Sequence, residues 1–360
     1  VVLDRVHRAR QEPLVTTTKT DRLDDVSPAW GGLRRIAIKS VLVVSALACC
    51  TYIPYLILGL WNRVFGGWHS VFFCYAGSRN FIASYAPAAA VDLFRWRPSP
   101  IGIMRQNGKL GCVLAAPVTE AEFLDPKNKV AFRRLRVRLR RIAWCLGVEQ
   151  VSLAGILPGI LRQDDVLEPV DTRAVVVEAV VQAVGEVAAL RFAGFQPDLI
   201  LLGGCGYVGR PTTEALRDKG YRCHVVDPRA DTHVLPAQLA GTPTLLVDLS
   251  RHGKIADYID QMWPGLVVLN ETFPRPARRH LSAMSKNGVD VFHLSGVVGW
   301  VCPPLPFGYE HAVPCCAAHA PPGPGGVRVV ELISARGARP VALTHSNSEQ
   351  PQTRPAHSLT

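Results

Sequence analysis

The chain has 360 residues, 48% of them hydrophobic, enough for one large or two medium cores that need no disulfide or metal staple. Its 40 Lys and Arg against 29 Asp and Glu leave a net charge of +11, which suits an acidic protein, an anionic membrane surface, a phosphorylated cofactor or nucleic acid without choosing among them. The ten cysteines form no C-x2-C pair, which argues against zinc and thioredoxin-like sites and fits a reducing compartment.

The first residue is Val1, which points to an incomplete or processed N-terminus. Residues 1–35 are polar, carry a Thr16-Thr17-Thr18 patch and show no apolar period, so they read as a disordered leader. From Val41 to Trp61 there are 21 positions without a charge, close to the roughly 20 residues that cross a bilayer. Residues 36–64 therefore read as a membrane-associated hydrophobic segment, with a buried core helix as the alternative. Arg34, Arg35 and Lys39 precede it, which places the leader in the cytosol by the positive-inside rule. Pro54 in mid-run favours a kinked or re-entrant segment, leaving the following domains on the cytosolic side.

Residues 68–194 read as a smaller N-terminal α/β domain. Ser70–Tyr75 is a strand, and Ile101–Arg105 with Leu110–Ala115 form a hairpin around Asn107-Gly108. Over Lys129–Leu146, Phe132, Leu135, Leu139, Ile142 and Leu146 recur at helical spacing. Six arginines lie between them, Arg133, Arg134, Arg136, Arg138, Arg140 and Arg141, and are expected to project from the helix surface. A strand over Val148–Ala154 and a long helix over Thr172–Phe192 follow. From 195 to 320, strands at Leu199–Leu202, Arg222–Val226, Thr244–Val247, Leu266–Leu269 and Val289–Leu294 alternate with helical stretches. That is the pattern of a doubly wound, parallel Rossmann sheet. Residues 321–360 read as a Pro/Gly-rich tail holding a strand-like Val327–Leu332.

The chemistry centres on Gly204-Cys205-Gly206-Tyr207-Val208-Gly209, a G-x-G-x-x-G between an apolar strand and a helix. Gly204 is expected to make the tight turn, Gly206 to admit a pyrophosphate, and Gly209 to allow close helix packing. The phosphates would meet the helix N-terminus. Asp227 ends the next strand, where a carboxylate can accept from ribose hydroxyls. Arg229, two residues on, can pair with a 2′-phosphate, so both NADH and NADPH stay open.

The order of elements from about Ser70 to His345 resembles the cyanobacterial long-chain acyl-(acyl-carrier-protein) reductases, and more distantly the shikimate-dehydrogenase-type two-domain enzymes. Asn107-Gly108-Lys109, Ser152-Leu153-Ala154-Gly155 and the helix after Asp171 fall where that family has its hairpin, Leu-Gly-Gly strand end and second helix. Leu269-Asn270-Glu271-Thr272-Phe273-Pro274-Arg275 resembles its Ile-Asp-Gly-Gly-Tyr-Pro-Lys turn. Phe292-His293-Leu294-Ser295-Gly296-Val297-Val298 resembles its Val-Leu-Asn-Gly-Gly-Val-Val. Val313-Pro314-Cys315-Cys316-Ala317-Ala318 stands where the family carries its cysteine. The chain departs from the family at Pro169–Ala174, where Thr-Gly-Asn-x-x-Thr is usual, and at Gly299-Trp300, where Glu-His is usual.

The resemblance implies an NAD(P)H-dependent reductase that converts a long-chain acyl thioester to a fatty aldehyde. Cys315, or its neighbour Cys316, would carry the acyl group, and the turns at Thr272 and Gly296 would wall the nicotinamide. An acidic acyl carrier protein would dock on the basic helix 129–146, anionic lipid being the other occupant of that face. No nucleic-acid partner and no metal are expected. The alternatives are a shikimate-type dehydrogenase acting without covalent catalysis and a non-catalytic NAD(P)-binding membrane protein.

Overall fold

The computed structural model describes residues 32–76, 79, 82, 88–161, 172–193, 195–305, 309 and 312–335; most of the expected leader and the end of the tail lie outside them. The chain is a mixed α/β protein with two sheets.

In β1 (Trp68–Ala76), Val71 and Phe73 point into one core and Phe72 into another, the period of two that a strand imposes. β1 pairs in parallel with both β3 (Lys109–Thr119) and β4 (Gln150–Leu153). β2 (Ser99–Gln106) joins β3 through the expected two-residue turn, with Asn107 at φ 50° and Gly108 at φ 79°. A strand from far downstream, β10 (Trp300–Cys302), closes this sheet by pairing antiparallel with β2.

One face of this sheet is covered by the helix Lys129–Leu146, whose Leu135, Leu139, Ile142 and Leu146 are buried. Two of its arginines do not project as expected. Arg136 is 1% exposed, because it stands four residues after Phe132 and three before Leu139, inside the apolar stripe. Arg138 turns inward and donates to the Trp96 carbonyl at 2.9 Å. Arg133, Arg134, Arg140 and Arg141 remain exposed.

The uncharged run is two helices. Gly32–Cys49 begins inside the expected leader, and Ile53–Phe65 follows after a break at Tyr52, which has φ 60°; the axes differ by 81°. Pro54 lies in the first turn of the second helix, where the missing N–H has no intrahelical partner to lose. Among the described residues no single helix is long and apolar enough to cross a membrane, although the bent pair passes by length and composition. The second helix rests on the basic helix at Gly59, where a Cβ would lie 1.7 Å from the Cys145 carbonyl oxygen. Asn62 fixes this seat, donating to the Leu146 carbonyl at 3.1 Å and accepting the Trp68 N–H at 2.9 Å.

The second sheet has β6 (Cys223–Val226), β5 (Asp198–Leu202), β7 (Thr244–Asp248), β8 (Val267–Asn270) and β9 (Asp290–Val298) in that spatial order, all parallel. β5, β7, β8 and β9 are near-continuous apolar runs buried on both faces, as parallel strands are, while the edge strand β6 is half-buried. Leu199, Leu201, Leu245 and Val247 meet the long helix Arg173–Phe192, while Ile200, Leu246 and Val268 meet the 3-10 segment Lys254–Gln261 on the other side. β11 (Ala312–Val313) and β12 (Val327–Ile333) pair antiparallel with β9. The strand at 327–333 therefore completes the second sheet instead of standing apart in a tail.

Candidate functional site

The spatial order reverses between β5 and β7, so the chain leaves their carboxyl ends in opposite directions and a crevice opens there. A cavity of about 1240 Å³ occupies it, above the roughly 300–1,000 Å³ of an ordinary small-molecule pocket. One end is framed by the loop after β5. The other is apolar, with Leu42, Val43 and Ala46 from the first helix facing Phe94, Leu124 and Ile160.

The loop is built in layers. Gly203, which the sequence reading passed over, makes the sharp turn: its φ is +83°, and a Cβ there would lie 2.9 Å from the Leu249 carbonyl oxygen and from Ser250. Gly204, expected to do this, instead packs tightly, with a Cβ position 3.0 Å from Val225 and 3.2 Å from Leu201. Gly206 lines the cavity, and its N–H donates to the Gly203 carbonyl at 2.9 Å. Tyr207 and Val208 line the cavity beside it. Gly209 is needed for contact, since a Cβ would lie 2.1 Å from the Gly203 carbonyl oxygen. The helix Gly209–Asp218 starts at this point, and Arg210 and Thr212 donate one turn back on either side of Pro211. Its positive end thus opens toward the cavity.

Asp227 is 5% exposed and borders the cavity. One carboxylate oxygen accepts the Cys205 N–H at 3.0 Å and the other the Arg229 N–H at 2.8 Å. The Arg229 guanidinium returns to the Cys205 carbonyl at 3.5 Å, and Arg251 and Lys254 stand at the same mouth. Arg173, at the start of the long helix, lines the cavity with its guanidinium 5.2 Å from the centre of the Tyr207 ring.

No protein-family model matches this chain, and no curated protein matches it. The chemistry is therefore read from the residues.

Two acids that the sequence reading did not single out stand at strand ends. Asp248 closes β7 and is fully buried; its Oδ1 accepts from the Ser250 hydroxyl at 2.5 Å and N–H at 3.0 Å. Burial pushes it up to about 6. Glu271 follows β8, lines the cavity, and donates its backbone N–H to the Asp248 carbonyl at 3.2 Å. Its side chain is half-buried, and burial with the Asp248 charge nearby pushes it up to about 8. A protonated carboxyl is thus available inside the cavity near neutral pH. The sequence signal was present: each acid directly follows an apolar parallel strand, at the end where ligands bind.

Thr272 lines the cavity as expected, its hydroxyl donating to Asn270 Oδ1 at 2.9 Å. Gly296 does not. It lies in β9 with φ +140°, and a Cβ would be 2.2 Å from the Val313 carbonyl oxygen, so it serves the contact with β11. Cys315 also points away from the cavity, into the core beneath the long helix, and burial raises its thiol well above the ordinary range. Cys316 faces the cavity; burial, with Glu271 and Cys74 nearby, pushes it up to about 12. The segment around them is a single 3-10 turn, Cys315–Ala317. Of the departures from the family pattern, residues 169–171 lie outside the described residues.

Proposed function

We propose that this protein is an NAD(P)H-dependent reductase acting on a long-chain acyl carbonyl compound, an acyl thioester in the first instance, with a Rossmann-type second domain. One observation carries this reading: a single cavity of about 1240 Å³ is lined both by the glycine loop and by the apolar residues Leu42, Val43, Ala46, Phe94 and Ile160. The loop fits a dinucleotide. Gly206 presents bare backbone to the cavity beside a helix N-terminus, the arrangement that accepts a pyrophosphate. Asp227 holds the loop closed, and Arg173 and Arg229 offer positive charge to the phosphates. When bound there, the reduced nicotinamide would supply a hydride.

The remaining roles fall to the chain's own groups. Cys316, rather than Cys315, is placed to take the acyl group by exchange, its sulfur forming the new thioester as the carrier thiol leaves with the proton. Its raised pKa means that the thiolate must be generated as substrate binds. Glu271 holds a proton on the cavity side and can give it to a developing oxyanion. That same pair of facts favours one second reading, a dehydrogenase that protonates a carbonyl from Glu271 without covalent catalysis.

Mass spectrometry after incubation with acyl-CoA and acyl-carrier-protein thioesters, in parallel with NADH and NADPH oxidation, tests the proposal. An acyl adduct on Cys316 that turns over with NAD(P)H supports the first reading. Turnover surviving Cys316→Ala transfers it to the second. No cofactor binding overturns both.

A further inference from the structure

The outer surface of the hydrophobic helix pair carries more exposed apolar area than any fold requirement explains. Val44, Ile57, Leu60, Trp61, Val64 and Phe65 are each more than half exposed. The basic helix packs against the second of these helices and carries exposed apolar residues of its own. Val130, Val137 and Trp144, also exposed, recur every seven residues and so form one stripe, flanked by Arg133, Arg134, Arg140 and Arg141. Apolar side chains with a tryptophan, bordered by arginines, make the composition of a helix that lies in a bilayer interface.

A second observation names the headgroup. At the elbow between the two apolar helices there is a groove of about 330 Å³ lined by Tyr52, Val137, Arg133, Arg134, Arg138 and Arg141. The Arg141 guanidinium stands 5.5 Å from the centre of the Tyr52 ring. Arg133, Arg134 and Arg141 are exposed there, beside an Arg138 held by the Trp96 carbonyl, and no acidic side chain among the described residues lines the groove to balance them. Guanidinium is the side chain best suited to bind phosphate.

We propose that this face docks on one leaflet of an anionic membrane, with the bent helix pair lying in the interface and the arginine groove at its elbow holding a phospholipid phosphate. The inference goes beyond the reductase reading and stands on separate residues. It also gives the cavity a supply route. The first helix is a partition one helix thick, with Val41 and Val44 on its outer side and Leu42, Val43 and Ala46 on the cavity wall.

The test is flotation of the full chain with vesicles of phosphatidylcholine containing about a third phosphatidylglycerol, against vesicles of phosphatidylcholine alone. Each exposed basic residue near an anionic surface adds on the order of 1 kcal/mol, or about fivefold in binding. The double variant Arg134→Glu/Arg141→Glu should therefore bind the anionic vesicles at least tenfold more weakly, and Trp144→Ser/Ile57→Ser should lose binding to them. All four positions are exposed, so the thermal melts should match the parent. Equal affinity for neutral and anionic vesicles in parent and arginine variant would overturn the headgroup site. Release by millimolar inorganic phosphate at fixed ionic strength would assign the groove to a soluble anion. Absence of vesicle binding would overturn the docking face: an oligomer dispersed by Trp144→Ser/Ile57→Ser would then give it to a second copy of the chain, and arginine-dependent binding of an acidic carrier protein would give it to that protein.

Discussion

The carboxylate of Asp227 accepts the backbone N–H of Cys205 at 3.0 Å, so the end of β6 clasps the glycine loop that follows β5. A residue expected to read a ribose is thereby also a structural latch. A hydrogen bond to a charged group contributes about 1.5–3 kcal/mol. Asp227→Ala should weaken NADH and NADPH alike, by roughly tenfold to a hundredfold, in a fluorescence titration. A variant that merely exchanges preference between the two would show that ribose contact, and not the latch, dominates.

Two glycines of the loop, Gly206 and Gly209, should separate binding from folding. Gly209→Ala forces a Cβ to 2.1 Å from the Gly203 carbonyl oxygen, and overpacking of this kind costs about 1–3 kcal/mol. Gly206→Ala, at a residue that lines the cavity, would place its Cβ 3.0 Å from that same oxygen, a tight contact but a far milder one. Thermal melts should fall clearly for the first and little for the second, while dinucleotide affinity falls for both. Equal melts would remove the close-contact argument.

Glu271 ties stability to pH. Its folded pKa, about 8, lies above the ordinary 4.5, so between those values the folded chain holds a proton that the unfolded chain has released. Stability should then decline as pH rises from about 5 to about 8. Asp248, raised from 3.8 to about 6, adds the same sign over the lower part of that window. Glu271→Gln should flatten the upper part of the slope in melts taken across pH. A slope left unchanged by the substitution would mean that Glu271 is ionised throughout.

Thiol reactivity should follow exposure and acidity together. Cys50 and Cys302 are exposed, whereas Cys315 and Cys316 have thiols raised by burial. Brief iodoacetamide treatment at pH 7.5 followed by peptide mapping should label Cys50 and Cys302 first. Rapid labelling of Cys316 without substrate would reveal a thiolate already formed.

What was legible in the sequence was local. Asn107-Gly108 specified its turn, the apolar period specified Lys129–Leu146 to the residue, and each of the five parallel strands of the second sheet ended within a few positions of its apolar run. What escaped depended on partners distant in the chain. Arg136 is buried because of what packs over its helix face, although its place inside the apolar stripe was visible. Trp300–Cys302 became a strand only through β2, nearly two hundred residues earlier. Gly296 is small for Val313, not for a ligand. Which of Cys315 and Cys316 faces the cavity was decided by the 3-10 turn that carries them.

The strand β10 also governs how the molecule can move. It leaves the second sheet directly after β9 and pairs with Ile103–Arg105 of the first, while Gln106 accepts the His319 N–H at 2.7 Å. The first sheet thus takes a strand from the chain that follows the second, and this exchange couples the two lobes more closely than a single linker would. The small-angle scattering profile should therefore be the same with and without dinucleotide.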